Sequence, residues 1–171
     1  MWQSLRPRRP HWREFTSIRY NPTLEDASLP RRQLLLRIQL LSNPAILCGV
    51  RGAVSPIAEA VGFGEEDCRA ITLAVDEAVA NIIRHAYGGK LDRAIEIRFN
   101  EIGPENGAKK GLEIILLDHG AKPKPDALKG LPPGELRSGG LGLHFMRQSM
   151  DTVVHKRVGS TNRLYMVKFV R

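Results

Sequence analysis

Cysteine and aromatic residues are scarce in this chain, and each scarcity excludes a class of function. Two cysteines in 171 residues, Cys48 and Cys68, cannot make the disulfide framework of a small secreted protein. Neither lies in a Cys-x-x-Cys or Cys/His spacing, so a cysteine-built metal or redox site is also excluded. Both fall in apolar-periodic segments and are expected to be reduced core residues. Aromatics are 6% of the chain, and neither a stacking-aromatic motif nor a recognised reading helix is present, so nucleic acid is disfavoured as a partner. No run reaches the roughly 18 apolar residues of a membrane span. The start also lacks the apolar core and small-residue cleavage site of a secretory signal. A cytoplasmic protein with no membrane span is therefore expected.

Charge is abundant but uneven. The formal net charge is +8, and residues 1–32 hold seven arginines against Glu14, Glu25 and Asp26. This Pro- and Arg-rich leader has no helical or strand periodicity and reads as a solvated, disordered arm, with an acidic partner or RNA as the functional alternative. Two units follow: an N-terminal extension over 1–32 and one domain over 33–171, long enough to bury a core without disulfides or structural metal.

Within the domain, Gln33–Leu41 reads as a short, mostly buried strand. A helix is predicted from Pro44 to Val61 with a break near Pro56, and a second from the acidic Glu65-Glu66-Asp67 start to Ala86, stopped by Gly88-Gly89. Ala94–Phe99 and Leu112–Leu117 read as a hairpin. After a long Gly-, Pro- and Lys-rich connection, a short helix over Leu141–Met150 precedes strands over Thr152–Val158 and Leu164–Val170, with a turn at Gly159–Asn162. This order predicts a two-layer α/β (α+β) sandwich, with a mixed, largely antiparallel sheet and helices on one face.

Three short motifs carry chemistry. In the second helix Glu77, Asn81 and His85 stand at i, i+4 and i+8 and share a face. A carboxylate can take a proton and an amide oxygen can coordinate Mg²⁺, although a solvated helix face has the same composition. Asp118-His119-Gly120 follows a buried strand. The carboxylate there can accept from an exocyclic amine, and the glycine lets a flat ring approach, while an ordinary turn is the plainer explanation. Finally, Ser138-Gly139-Gly140-Leu141-Gly142-Leu143 opens a helix whose free N–H groups suit phosphate. It is neither a Walker A loop nor a GxGxxG turn, and a flexible connection would read alike.

Order and spacing together say more than each motif alone. A helix with Glu-x-x-x-Asn, then a strand-end Asp-x-Gly, then Gly-Gly-Leu-Gly-Leu before a helix, resembles the GHKL or Bergerat-type ATPases, which include histidine-kinase catalytic domains. Asp76-Glu77-Ala-Val-Ala-Asn81-Ile-Ile-Arg-His85-Ala-Tyr and Gly140-Leu141-Gly142-Leu143-His-Phe-Met-Arg-Gln-Ser-Met150-Asp151 look most like the small anti-sigma-factor serine kinases of bacteria.

The resemblance implies a histidine-kinase-like ATPase fold that binds ATP and Mg²⁺. By it, Asn81 holds the metal and Glu77 is the base toward a protein serine hydroxyl. Asp118 accepts the adenine amino hydrogen, Gly120 gives the ring room, and Gly140, Leu141, Gly142 and Leu143 line the phosphates. His85 lies in the nucleotide site, Arg84 and Arg137 are candidate phosphate contacts, and residues 121–139 form a lid. The implied partners are a sigma factor and an antagonist protein that receives the phosphate, with the kinase a homodimer. The alternative is a catalytically silent ATP-binding module whose shape a partner reads.

Overall fold

In the computed structural model, residues 31–103, 109–123 and 141–171 are described, the first three of the last segment by backbone alone. The order is β1 (Arg32–Leu41), a 3₁₀ turn (Pro44–Ile46), α1 (Leu47–Val61), α2 (Glu65–Asn81), a π-helical turn (Ile82–Ala86), β2 (Ala94–Ile102), β3 (Gly111–Asp118), α3 (Leu141–Ser149), β4 (Thr152–Val158) and β5 (Thr161–Phe169). The strands form one sheet in the order β1-β2-β3-β5-β4. Every pairing described is antiparallel, so the sheet expected to be mixed and largely antiparallel is wholly so.

Helix starts and stops follow the local chemistry. Asn43 caps the 3₁₀ turn by accepting from the Ala45 N–H at 3.0 Å, and α1 ends at Gly62 in the left-handed region with φ of +110°. The helix continues through Pro56, where a break was expected. Pro44–Val61 is by length and composition just long and apolar enough to cross a membrane, contrary to the expectation from the sequence. Here its Val50, Val54, Ala58 and Val61 stripe lies in the protein core instead.

The core lies between the helices and one face of the sheet. Ile95, Ile97 and Phe99 of β2 and Leu112, Ile114 and Leu116 of β3 are fully buried there, beside Ile71, Val75 and Val79 of α2 and Val54 of α1. Each such side chain contributes about 1.5–3 kcal/mol by leaving water, so this layer fixes where the ends of α2 and β3 stand. Lys168 of β5, itself buried, reinforces it. Its ammonium pairs with Asp67 of α2 at 3.1 Å and donates to the Ser149 carbonyl at 2.7 Å, tying β5 to α2 and to the end of α3.

Two expectations are corrected. The first strand is an exposed edge rather than a mostly buried one: Leu34, Leu35 and Leu36 are 54%, 39% and 37% exposed, and a bulge between Leu34 and Leu36 shifts its register. A run of leucines signals burial only when strands flank it on both sides. Cys48 is exposed because it falls off the core stripe of α1, whereas Cys68 is buried as expected. On the face of β2 opposite the core, Glu96 is fully buried, accepting from Arg98 Nε at 2.5 Å and Gln39 Nε2 at 2.9 Å.

The functionally decisive packing is where α2 ends. Its last turn widens, with the Tyr87 N–H bonded to the Ile82 carbonyl at 2.9 Å, and Gly88 and Gly89 then take φ of +60° and +78°. The Ala86 carbonyl accepts the Ala121 N–H at 2.8 Å. The Tyr87 hydroxyl donates to the Ala94 carbonyl at 2.6 Å and accepts the His119 N–H at 3.0 Å. Gly120 is packed so tightly against this corner that an added Cβ would lie 2.5–2.6 Å from the Ala86 O, C and Cβ atoms. Gly120→Ala is therefore expected to push the two segments apart and to cost more stability than Tyr87→Phe, which removes two hydrogen bonds worth about 1–3 kcal/mol together. Urea denaturation checks this ranking, and a Gly120→Ala protein as stable as wild type would contradict the close packing.

Candidate functional site

The helix end of the site is built on two aligned turns of α2. Glu77 and Asn81 converge on one atom, Arg84 Nη2, which donates to Glu77 Oε1 at 3.0 Å and to Asn81 Oδ1 at 3.3 Å. Arg84 thus joins the carboxylate and the amide, while His85, the third member of the expected stripe, sits exposed inside the π-helical turn. The neighbouring Asp76 points the other way and forms a two-point ion pair with Arg51 of α1, at 2.8 and 3.0 Å. That pair fixes α2 against α1 and leaves Glu77 as the carboxylate on the site face.

The strand end is built around Asp118, a buried residue at the last position of β3. One of its carboxylate oxygens, Oδ1, accepts from the Gly120 N–H and from Asn162 Nδ2, both at 2.8 Å. Burial pushes this carboxyl above the usual aspartate range; the Asn162 and Gly120 hydrogen bonds and the nearby His155 and His119 pull against it. Burial also moves the half-buried His155 imidazole below its usual range, opposed by Asp118. Thr161 is buried with its hydroxyl 3.3 Å from His119 Nδ1. The Cβ direction of Gly120 is occupied by Ala86, so the lack of a side chain is required for packing against the end of the helix.

Asn162, Thr161 and Arg157 are the polar residues that sequence reasoning left without a role. The turn between β4 and β5 is Gly159-Ser160 alone, with Gly159 at φ of +59°, so Thr161 and Asn162 belong to β5 and not to the loop where they were expected. The pairing Asp118↔Asn162 then sets the amide directly across from the carboxylate. A Gly-led two-residue turn is the signal that would have found them.

Leu141, Gly142 and Leu143 form the first turn of α3, whose Met146 packs in the core. Gly140, Arg137 and most of the expected lid lie outside the described residues. Among the described residues no cluster of three or more His, Cys, Asp or Glu side chains could hold a metal. A metal here would be held by few protein ligands, as Mg²⁺ on nucleotide phosphates is.

The chain matches a known family model, the histidine kinase-like ATPase domain, over residues 40–168. The chain belongs to the histidine kinase-like ATPase family. Similar proteins include the serine-protein kinase RsbW of Bacillus licheniformis, 32% identical over 75% of this chain and 81% of that protein. The RsbW of Bacillus pumilus is 31% identical over 80% of this chain and 86% of its own. A histidine kinase domain of a blue-light activated kinase from Erythrobacter litoralis aligns at a TM-score of 0.45 and 18% identity, covering 73% of this chain and 59% of that one.

The family member described here carries a testable electrostatic signature. Because the folded carboxyl of Asp118 is raised above its unfolded value, the folded state holds that proton more tightly. The group's contribution to stability is therefore greatest at acid pH and falls as pH rises through the interval between the unfolded and folded values. Relative to Asp118→Asn, wild type is expected to lose stability as pH climbs out of the ordinary aspartate range toward neutrality. Denaturant titrations of both proteins across pH measure the difference, and a flat difference would refute the raised carboxyl.

Proposed function

We propose that this protein is an Mg·ATP-dependent serine protein kinase of the anti-sigma-factor type. It would act in the cytoplasm as a homodimer, binding a sigma factor and phosphorylating an antagonist protein. The observation that carries this reading is the corner formed by Ala86, Tyr87 and Gly120, which holds Asp118 and the Glu77/Asn81 pair in one rigid frame. Likeness to the serine-protein kinases RsbW supports it.

Asp118, at a buried strand end with one oxygen already saturated by donors, supplies an acceptor for the adenine amino group. The helix face holds the phosphate end. Asn81 Oδ1 and Glu77 Oε1 already converge on a cationic nitrogen, so the oxygens there suit a hard cation, and Asn81 would hold Mg²⁺. When bound, Mg²⁺ neutralises charge on the phosphates. Glu77 would accept the proton of a protein serine hydroxyl as its oxygen bonds to the γ-phosphorus and the bond from that phosphorus to the β,γ-bridging oxygen breaks, releasing ADP. For that, Glu77 must be released by Arg84, whose guanidinium would turn to the phosphates instead. Leu141, Gly142 and Leu143, with Gly140 before them, supply N–H groups at the start of α3, and His85 lies at the rim.

Arg84 on Glu77 also fits the alternative, a silent ATP-binding module in which the base is permanently neutralised. The two readings separate cleanly. Glu77→Ala is expected to bind ATP as wild type does and to lose phosphate transfer to a partner serine by at least about a hundredfold. Asn81→Ala should weaken Mg·ATP binding itself, measured by calorimetry. Transfer unchanged in Glu77→Ala would remove Glu77 as base, and wild-type protein that binds ATP but transfers nothing would establish the silent module.

A further inference from the structure

Asn162 is the most heavily engaged polar side chain at the strand end of the site. It is 1% exposed, and its amide nitrogen faces three oxygens: Asp118 Oδ1 at 2.8 Å, the Ala121 carbonyl at 3.1 Å and the Gly120 carbonyl at 3.4 Å. Its amide oxygen accepts from Arg157 Nη1 at 2.6 Å, and the same guanidinium nitrogen donates to the Gly120 carbonyl at 3.2 Å. The amide is therefore oriented from both ends, with acceptors around its NH₂ and a cation on its oxygen. A cation on the carbonyl polarises the amide and strengthens its N–H donors.

We propose that Asn162, polarised by Arg157, is a positioning residue that keeps Asp118 an obligate hydrogen-bond acceptor and so makes the site select a 6-amino purine over a 6-oxo purine. This rests on adenine lying at Asp118. An ionised carboxylate accepts from the 6-amino group of adenine and repels the 6-oxo oxygen of inosine or guanine. A protonated carboxyl donates, and would accommodate the 6-oxo group instead. Burial favours the neutral form of Asp118, and the hydrogen bond from Asn162 opposes it. The groups that face it are His119 beside it, His155 and Arg157 from β4, Asn162 and Thr161 from β5, and the Tyr87 hydroxyl from the end of the helix. Of these, Asn162 donates directly from its side chain to the carboxylate at 2.8 Å.

Two substitutions probe the relay from opposite ends. Asn162→Asp replaces the donor with an isosteric acid and sets two carboxyls together, which forces a shared proton. Arg157→Ala removes the cation from an exposed side chain and leaves the amide in place. Binding of ATP and ITP is measured across pH by calorimetry or tryptophan-free fluorescence with labelled nucleotide. Wild type should prefer ATP and lose that preference on acidification. Asn162→Asp should move the midpoint of that loss upward by about one pH unit or more and cut the ATP-to-ITP ratio at neutral pH on the order of tenfold. Arg157→Ala should shift both in the same direction by less, and Arg157→Lys should restore them. An unchanged midpoint and ratio in both Asn162→Asp and Arg157→Ala overturn the inference while leaving adenine at Asp118. A wild-type protein that binds ATP and ITP equally overturns the placement of adenine and the inference with it.

Discussion

The Ala86 carbonyl accepting the Ala121 N–H is the contact on which the rest of the site depends. The last carbonyls of a helix have no donors within it, and the chain must satisfy them elsewhere. Here the widened turn after Asn81 aims one of them at the segment leaving β3, and Gly120 allows the approach because it has no Cβ. Tyr87 adds a second bolt to His119. The result is that a helix face bearing a carboxylate and an amide, and a strand end bearing a buried carboxylate, cannot move independently. Under the proposed function, a ligand with a polar ring at one end and phosphates at the other would meet a frame whose length is already set, which lowers the cost of ordering on binding.

Electrostatics within that frame are balanced rather than extreme. Asp118 is pushed toward neutrality by burial and pulled toward charge by two hydrogen bonds and two imidazoles. At the other end, Glu77 and Asn81 face a guanidinium on a long side chain that spans both. Arg84 thus gives the helix face a cation of its own, and under the proposed function a metal and phosphates arriving there would exchange one set of charge partners for another. Such an exchange would couple ligand arrival to release of Glu77 without any change in the fold.

Much of the architecture was legible in the sequence because its signals are local. Gly88-Gly89 mark the end of the helix, the acidic triplet at Glu65 marks a start, and alternation marks β2 and β3. Burial was less legible. Leu34–Leu36 read as interior because strand order, which puts β1 at the edge, is not a local property. Of the site, Glu77, Asn81 and Asp118 were singled out by the order and spacing of three motifs and given roles by the family resemblance; the structure puts Glu77 and Asn81 in the last turns of α2 and Asp118 at the end of β3. Arg84 and Asn162 could not be given their roles. The first needs the reach of a particular rotamer across two turns, and the second needs the register that places β5 opposite Asp118. Gly120 was recognised for the right property, the lack of a side chain, but its neighbour is the backbone of Ala86.

The central claim is that one bound nucleotide spans Asp118 and the Glu77/Asn81 face. A crystal structure of the full chain with a non-hydrolysable ATP analogue and Mg²⁺ tests it most directly. The expected result is the adenine amino group within hydrogen-bond distance of the Asp118 carboxylate, the metal on Asn81 Oδ1, and Arg84 turned from Glu77 to the phosphates. A nucleotide bound elsewhere, or bound with Arg84 still on Glu77 and no metal at Asn81, would contradict it.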